Sequence, residues 1–219
     1  MEALQHFSLA DIEAMEKPFR LNLINSCAGY KPAVLIGTTS SSGQHNLGVF
    51  NSVVHIGSSP PMQGFMMRPH TVERHTLENI QETGVYTINH IHESFVEQAH
   101  WTSAKFPREV SEFDACGLTA EFAHNFAAPF VGESRLKMGL RLEEIVPIKS
   151  HGTYLVIGKI EHLLVAPEAV PHNGRLLLPA VNDVAISGLN KYHKVESLAE
   201  FPFARLEQVP NFNASSNNG

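Results

Sequence analysis

The stretch Asn46–Pro69, "NLGVFNSVVHIGSSPPMQGFMMRP", holds two strand-like apolar runs, NLGVFNSVVHIG and QGFMM, with the turn signal SSPP between them. Polar Asn51, Ser52, His55 and Arg68 interrupt these runs. A polar group buried without a partner costs about 1–3 kcal/mol, so strands that only filled a core would gain nothing from them. The stretch reads as strand structure built to hold something polar.

Outward from it, period two recurs. Arg135–Ile145, "RLKMGLRLEEI", sets Leu136, Met138, Leu140 and Leu142 on one face and Lys137, Arg141 and Glu143 on the other, the alternation of a half-buried antiparallel strand. "TYLVIGKIEHLLVA" (153–166) is apolar on both faces, as expected of a strand buried on both sides, by a barrel interior and by a helix or partner outside. "PAVLIGTT", "VYTINHI" and "GLTAEFA" also read as strands. Short strands separated by turns such as SSSGQHN and SSPP indicate a mainly β chain, a barrel or sandwich rather than alternating βα units.

Helices are few. Ser8 with Asp11 three residues on can cap a first one, a second runs from Thr71 to Thr83 with Gly84 as its stop, and "ESFVEQAHWTSA" (93–104) reads as a third. The C-terminal "NFNASSNNG" has almost nothing to bury and reads as disordered.

A chain of 219 residues suits one domain that buries roughly 70% of its unfolded surface. The net charge of -6 is scattered, without a basic run, which argues against a nucleic-acid partner. Only Cys27 and Cys116 occur, fitting a reduced cytoplasmic protein without a disulfide framework. The N-terminus lacks a basic start, and no run approaches the ~20 apolar residues of a membrane span. The sequence has no G-x-G-x-x-G, P-loop, G-x-S-x-G or H-E-x-x-H motif. His90 and His92 lack a Cys, Asp or Glu at ligand spacing, so they read as hydrogen-bonded histidines and no metal is expected.

"FMMRPHTVERHTLENIQETG" (65–84) brings a strand ending in Arg68 to a helix start rich in Thr71, Arg74, His75 and Thr76. Open backbone N–H groups, hydroxyls and a guanidinium can cradle a phosphate. Ordinary capping by Thr71 beside a solvated Arg face explains the segment equally well. Asn51 and Ser52 tilt the balance, since amide and hydroxyl groups suit the edge of a flat heteroaromatic ring, with Phe50 and Met67 able to pack on its face.

The ordered blocks KPAVLIGTT, NLGVFNSVV, SPPMQGFMMRP, HTLENIQETGVYTIN, SEFDACGLTAEF, APFVGES and ISGLNKY resemble those of the flavin reductase-like family, the FMN-binding split barrel proteins, over residues 31–192. The resemblance implies a six-stranded antiparallel split β-barrel with a few helices, a homodimer, and FMN rather than FAD near the subunit interface. It divides the chain into an N-terminal helical extension packed on the barrel (1–30), the split-barrel domain (31–205) and a disordered tail (206–219). Carried onto this sequence, it puts ring contacts on Asn46, Phe50, Asn51 and Ser52, with Met67 beside them. Phosphate and ribityl contacts fall on Arg68, His75, Thr76 and Ser103, and Gly188 and Tyr192 border the flavin or the nicotinamide approach. Two departures stand out: Ser187 replaces the first glycine of the usual pair before Tyr192, and Asn51 replaces a common Ser.

The implied activity is that of an oxidoreductase using NADH or NADPH as co-substrate to pass electrons to free flavin, a redox protein or a monooxygenase partner. Hydride transfer between two rings needs no dedicated acid, base or nucleophile, so no catalytic residue is assigned. A flavin-binding electron carrier with little NAD(P)H turnover, or an FMN-binding protein with no redox task, would use the same contacts.

Overall fold

The computed structural model describes residues 4–212. Its strands are β1 (Lys31–Pro32), β2 (Val34–Thr39), β3 (His45–Phe50), β4 (Val53–Ser58), β5 (Pro61–Met67), β6 (Val85–His90), β7 (Ala120–Glu121), β8 (Phe130–Val131), β9 (Leu136–Ile148), β10 (Thr153–Val165), β11 (Val184–Ser187) and β12 (Lys191–Lys194). Helices are α1 (Leu9–Ala14), α2 (Lys17–Cys27), α3 (His75–Thr83), α4 (Val96–Trp101) and α5 (Glu112–Cys116).

Seven strands form one antiparallel sheet in the order β3, β2, β6, β9, β10, β5, β4. The two edge strands, β3 and β4, are consecutive in the chain and separated by Asn51 and Ser52 alone. The sheet must therefore curl until its edges meet. They meet at this bend, which is tied to β5: Ser52 Oγ donates to Met66 O at 3.1 Å and Met66 N donates to Ser52 O at 3.3 Å. Counted once, the bent run makes the barrel six-stranded; counted as two hydrogen-bonded segments, it gives seven. The split barrel is thus closed through the covalent chain at the bend rather than by a continuous ladder.

Alternation decides what lies inside. Val34 and Ile36 of β2, Phe65 and Met67 of β5, Tyr86 and Ile88 of β6, and Met138 and Leu140 of β9 pack in one buried cluster with Leu77 and Ile80 of α3. Leu35, Leu47 and Ile91 belong to a second cluster with Phe95, Ala99, Phe113 and Ile186. There α4, α5 and the small sheet β1, β11, β12 seal the outside of β2, β3 and β6.

Several expectations need correction. The second helix begins at His75 rather than Thr71, with Arg74 as N-cap and no side-chain cap. The Arg74 N–H is taken instead by Glu78 Oε1 at 3.0 Å, while Gly84 stops the helix in the left-handed region at φ 73°. The "GLTAEFA" run yields only β7, because its one partner is the two-residue β8 and the chain then turns through His124 and Asn125 at φ 55° and 56°. β10 buries only Val156 and Gly158, so of the two covers expected for its outer face, a helix or a partner, the described residues do not supply the helix. The helical extension forms, with the Ser8/Asp11 capping box in place, but neither α1 nor α2 buries a residue. Leu9, Phe19, Leu21 and Ile24 stay exposed, so the extension buries none of these side chains against the barrel. Of the expected disordered tail, residues 213–219 lie outside the described residues, and Leu206–Gln208 form a short 3-10 turn.

Candidate functional site

β3 presents two chemically different faces. His45, Leu47 and Val49 point toward the sealed outer layer, where Leu47 is fully buried. Asn46, Gly48 and Phe50 point the other way, toward α3. A Cβ added at Gly48 would sit 3.3 Å from Phe50 Cε2 and 3.7 Å from Thr76 Oγ1, so the glycine leaves an open floor between an aromatic edge and a hydroxyl. Phe50 is itself held by Phe65, ring centroids 5.1 Å apart at 73°.

The start of α3 forms one end of this floor. The N–H groups of His75, Thr76 and Leu77 precede the first intrahelical acceptor bond, Glu78 N to Arg74 O at 3.0 Å, and such N–H groups attract anions. His75 Nε2 is buried without a hydrogen-bond partner; its nearest carboxylate oxygen, on Glu73, is 3.5 Å away. Arg68 is exposed and has neither an ion pair nor a hydrogen bond among the described residues. Arg74 folds back over Pro69, with Nε 3.4 Å from its carbonyl. Arg108 is neutralised by Glu78.

At the other end, the bend is fixed from outside the barrel. Asn51 Nδ2 donates to Gly188 O at 3.0 Å, and Lys31 Nζ donates to the same carbonyl at 3.1 Å. Gly188 sits at φ 59°, which explains a glycine there. Ser187, at the position where a glycine was expected, is accommodated by a 2.8 Å contact between its Oγ and His193 Nε2 across the hairpin.

The structure therefore gathers Phe50, Asn51, Ser52, His75, Thr76 and Gly188 around the bend and the floor, with Arg68 following directly from the strand that Ser52 grips. Four anticipated residues fall elsewhere or play another part. Met67 is 3% exposed within the barrel core, because it shares the inward face of β5 with Phe65, and it has no surface left for a ring. Ser103 is exposed beyond α4, a helix that contacts β3 and α5. Tyr192 packs on the opposite side of β3 with Leu47 and Val49; its hydroxyl lies 3.3 Å from His100 Nδ1, and burial pushes its pKa up to about 12. Asn46 is 7% exposed, with its amide engaged by Thr38 and Thr76. Of the two histidines weighed as ligands, His90 pairs with Asp183 at 2.8 Å and His92 holds Ser94 at 2.8 Å.

Sequence reasoning missed Glu112. It is 6% exposed and accepts the outward N–H of Leu47 at 2.9 Å, closing the free edge of β3. Burial raises its carboxyl pKa, opposed by that hydrogen bond and by His75. Nothing local marks Glu112, whose partner lies 65 residues away. Asn79 was also missed, although its three-residue spacing from Thr76 sets both on one face of α3.

The donor set suits a flat aromatic ligand carrying a phosphate. Polar groups and a glycine floor stand where the ring and chain would lie, with an unpaired guanidinium and open N–H groups for the anion. In comparison with known proteins, the Flavin reductase like domain matches residues 28–178. A proposed flavin reductase with split barrel domain from Shewanella frigidimarina superposes with a TM-score of 0.88 at 46% identity, covering 91% of this chain and all (100%) of that one. Nitrilotriacetate monooxygenase component B from Bacillus cereus shares the fold, with a TM-score of 0.79 at 20% identity over 92% of this chain and 100% of that one. An uncharacterized protein from Halalkalibacterium halodurans is 26% identical over 170 residues, 75% of this chain and 81% of its own length.

Proposed function

The chain belongs to the flavin reductase-like family, and from that premise we propose that it is an FMN-binding oxidoreductase that oxidises NADH or NADPH and passes the electrons to free flavin or a partner protein. One observation carries the reading: an open floor over Gly48 lies between Phe50 and Thr76, leading to the start of α3 and to an Arg68 that has no ion-pair partner among the described residues.

When bound, FMN supplies the ring that takes up hydride from the nicotinamide. The chain's own work is positional. Thr76, the first N–H groups of α3 and Arg68 hold the phosphate; Phe50 and Ser52 border the ring; Asn51, tethered to Gly188, fixes its edge. Because the phosphate is held at one end, the ring's place over the floor is set by the length of the ligand, as required for reacting atoms to meet at about 3–3.5 Å.

A homodimer is part of this proposal. The outer face of β4, β5 and β10 carries Val54 at 43% and Ile56 at 39% exposure, with Leu155 close by over Gly64, and an apolar sheet face of this kind suits a two-fold contact. The free cysteines suit a reducing, cytoplasmic setting. No helix among the described residues is long and apolar enough to cross a membrane.

The test is a titration of FMN followed by flavin fluorescence quenching, then oxidation of NADH and NADPH with FMN as acceptor. Binding that falls on Arg68→Ala with Thr76→Val, together with nicotinamide oxidation, is expected. Binding without oxidation of either nicotinamide would make the protein an electron carrier, and unaltered affinity in the double variant would remove these residues from the site.

A further inference from the structure

Behind Thr76 lies a buried polar network. Asn46 Nδ2 donates to Thr76 Oγ1 at 3.0 Å and to Thr38 Oγ1 at 3.3 Å. Asn79 Nδ2 donates to the same Thr38 oxygen at 3.1 Å. Thr38 is 0%, Asn79 2%, Asn46 7% and Thr76 8% exposed. Asn79 Oδ1 has no hydrogen-bond partner.

Such a network is expensive to bury, and an apolar set of the same shape would pack against Leu77 and Ile80 without leaving an amide oxygen unpaired. Its arrangement has a direction. Both hydrogens of the Asn46 amide are spent, one on each hydroxyl. Two amide donors fill the acceptor capacity of Thr38 Oγ1, which anchors Asn46. Thr76 Oγ1 accepts from Asn46, so its own hydrogen is left to be donated on its open side, the side that faces the Gly48 floor.

We propose that Asn46, Thr38 and Asn79 are positioning residues that hold the Thr76 hydroxyl as a hydrogen-bond donor toward the phosphate of the bound flavin, and that Asn46 is therefore no ring contact. The assignment rests on the flavin reading above. Were the Asn46 amide turned the other way, its oxygen would take the Thr76 proton, and the hydroxyl could no longer donate outward. The two orientations make opposite predictions.

The test compares two probes, FMN and riboflavin, which share a ring and differ in the phosphate. Asn46→Ala and Thr38→Val should each weaken FMN binding about tenfold, while riboflavin binding stays nearly unchanged. Thr38→Ser, which restores the accepting hydroxyl, should restore the parent's preference for FMN. Thermal melting of the three variants checks that each is folded, and Thr38→Ser keeps the test alive if Thr38→Val is not. Equal weakening of both flavins would reduce the network to a structural role, and an unchanged or increased preference for FMN would reverse the direction of the Thr76 bond; either overturns the proposal. A parent protein that binds neither flavin overturns the flavin reading itself and this assignment with it.

Discussion

The barrel has two walls made of the same kind of strand but finished differently. On β2, β3 and β6 the outer face is sealed: Leu35, Leu47 and Ile91 are each 0% exposed beneath α4, α5 and the β11–β12 hairpin. On β4, β5 and β10 the outer face is bare, with Val54 and Ile56 about as exposed as surface residues although their side chains are those of a core. The difference shows that strand composition reports whether a face is to be covered but not by what. In the first wall the cover comes from later segments of the same chain; in the second the described residues supply none.

The comparison breaks hardest at the glycines. Gly37 of the sealed wall would put a Cβ 2.4 Å from Pro129 O and 2.7 Å from Thr87 Oγ1, contacts that only a backbone shift relieves. Gly37→Ala should therefore cost about 3 kcal/mol or more, read as a large fall in melting temperature. Gly64 of the bare wall would meet Leu155 Cδ1 at 3.0 Å and Val156 O at 3.1 Å. There the closest atom is the end of a flexible leucine side chain and the backbone oxygen has to give by only a few tenths of an ångström, so Gly64→Ala should destabilise a single chain clearly less. Equal losses at the two positions would erase the distinction between the walls.

A second measurement sharpens the comparison. Leu155→Arg places a charge on the bare wall, where its long stem can reach solvent in a single chain. It should convert a dimer into a monomer by light scattering while leaving the monomer folded. A parent that is already monomeric at micromolar concentration would remove the proposed cover of that wall.

The smallest effect belongs to Glu112, which closes the free edge of the sealed wall. Burial raises its pKa above the ordinary carboxyl value of 4.5, so over an interval above 4.5 the folded chain keeps a proton that the unfolded chain releases. The stability carried by the protonated carboxyl is complete below 4.5 and is lost as pH rises through the folded value. Glu112→Gln keeps an oxygen for the Leu47 N–H and cannot ionise. Melting from about pH 4 to about pH 8 should show the variant gaining on the parent as pH rises; parallel curves would mean that Glu112 does not titrate in a buried place.

The sequence by itself determined the main barrel strands, because period two in runs such as 135–145 leaves one face to bury whatever the partner, whereas GLTAEFA shrank to β7 and the short β8, β11 and β12 carried no such signal. It also determined the stop at Gly84, where a left-handed residue was needed, and it singled out Asn51 and Ser52, whose polarity made no sense in a plain strand, without showing that the strand bends there. The order of family-like blocks then carried the fold class and most of the residues around the site. Only the tertiary structure decided which of those residues share a face of β3. Asn46 and Leu47 are neighbours in the chain but lie on opposite sides of a sheet, so Tyr192, packed with Leu47, was separated from the floor that Thr76 borders. It alone decided that Met67 is core and that Asn46 serves Thr76, since those facts depend on packing α3 against β2 and β3, from which β4 and β5 separate it in the chain. Local pattern is set by backbone geometry over a few residues. Hydrogen-bond partners such as Leu47 and Glu112 are set by which distant surfaces the core brings together, and no short-range signal carries that information.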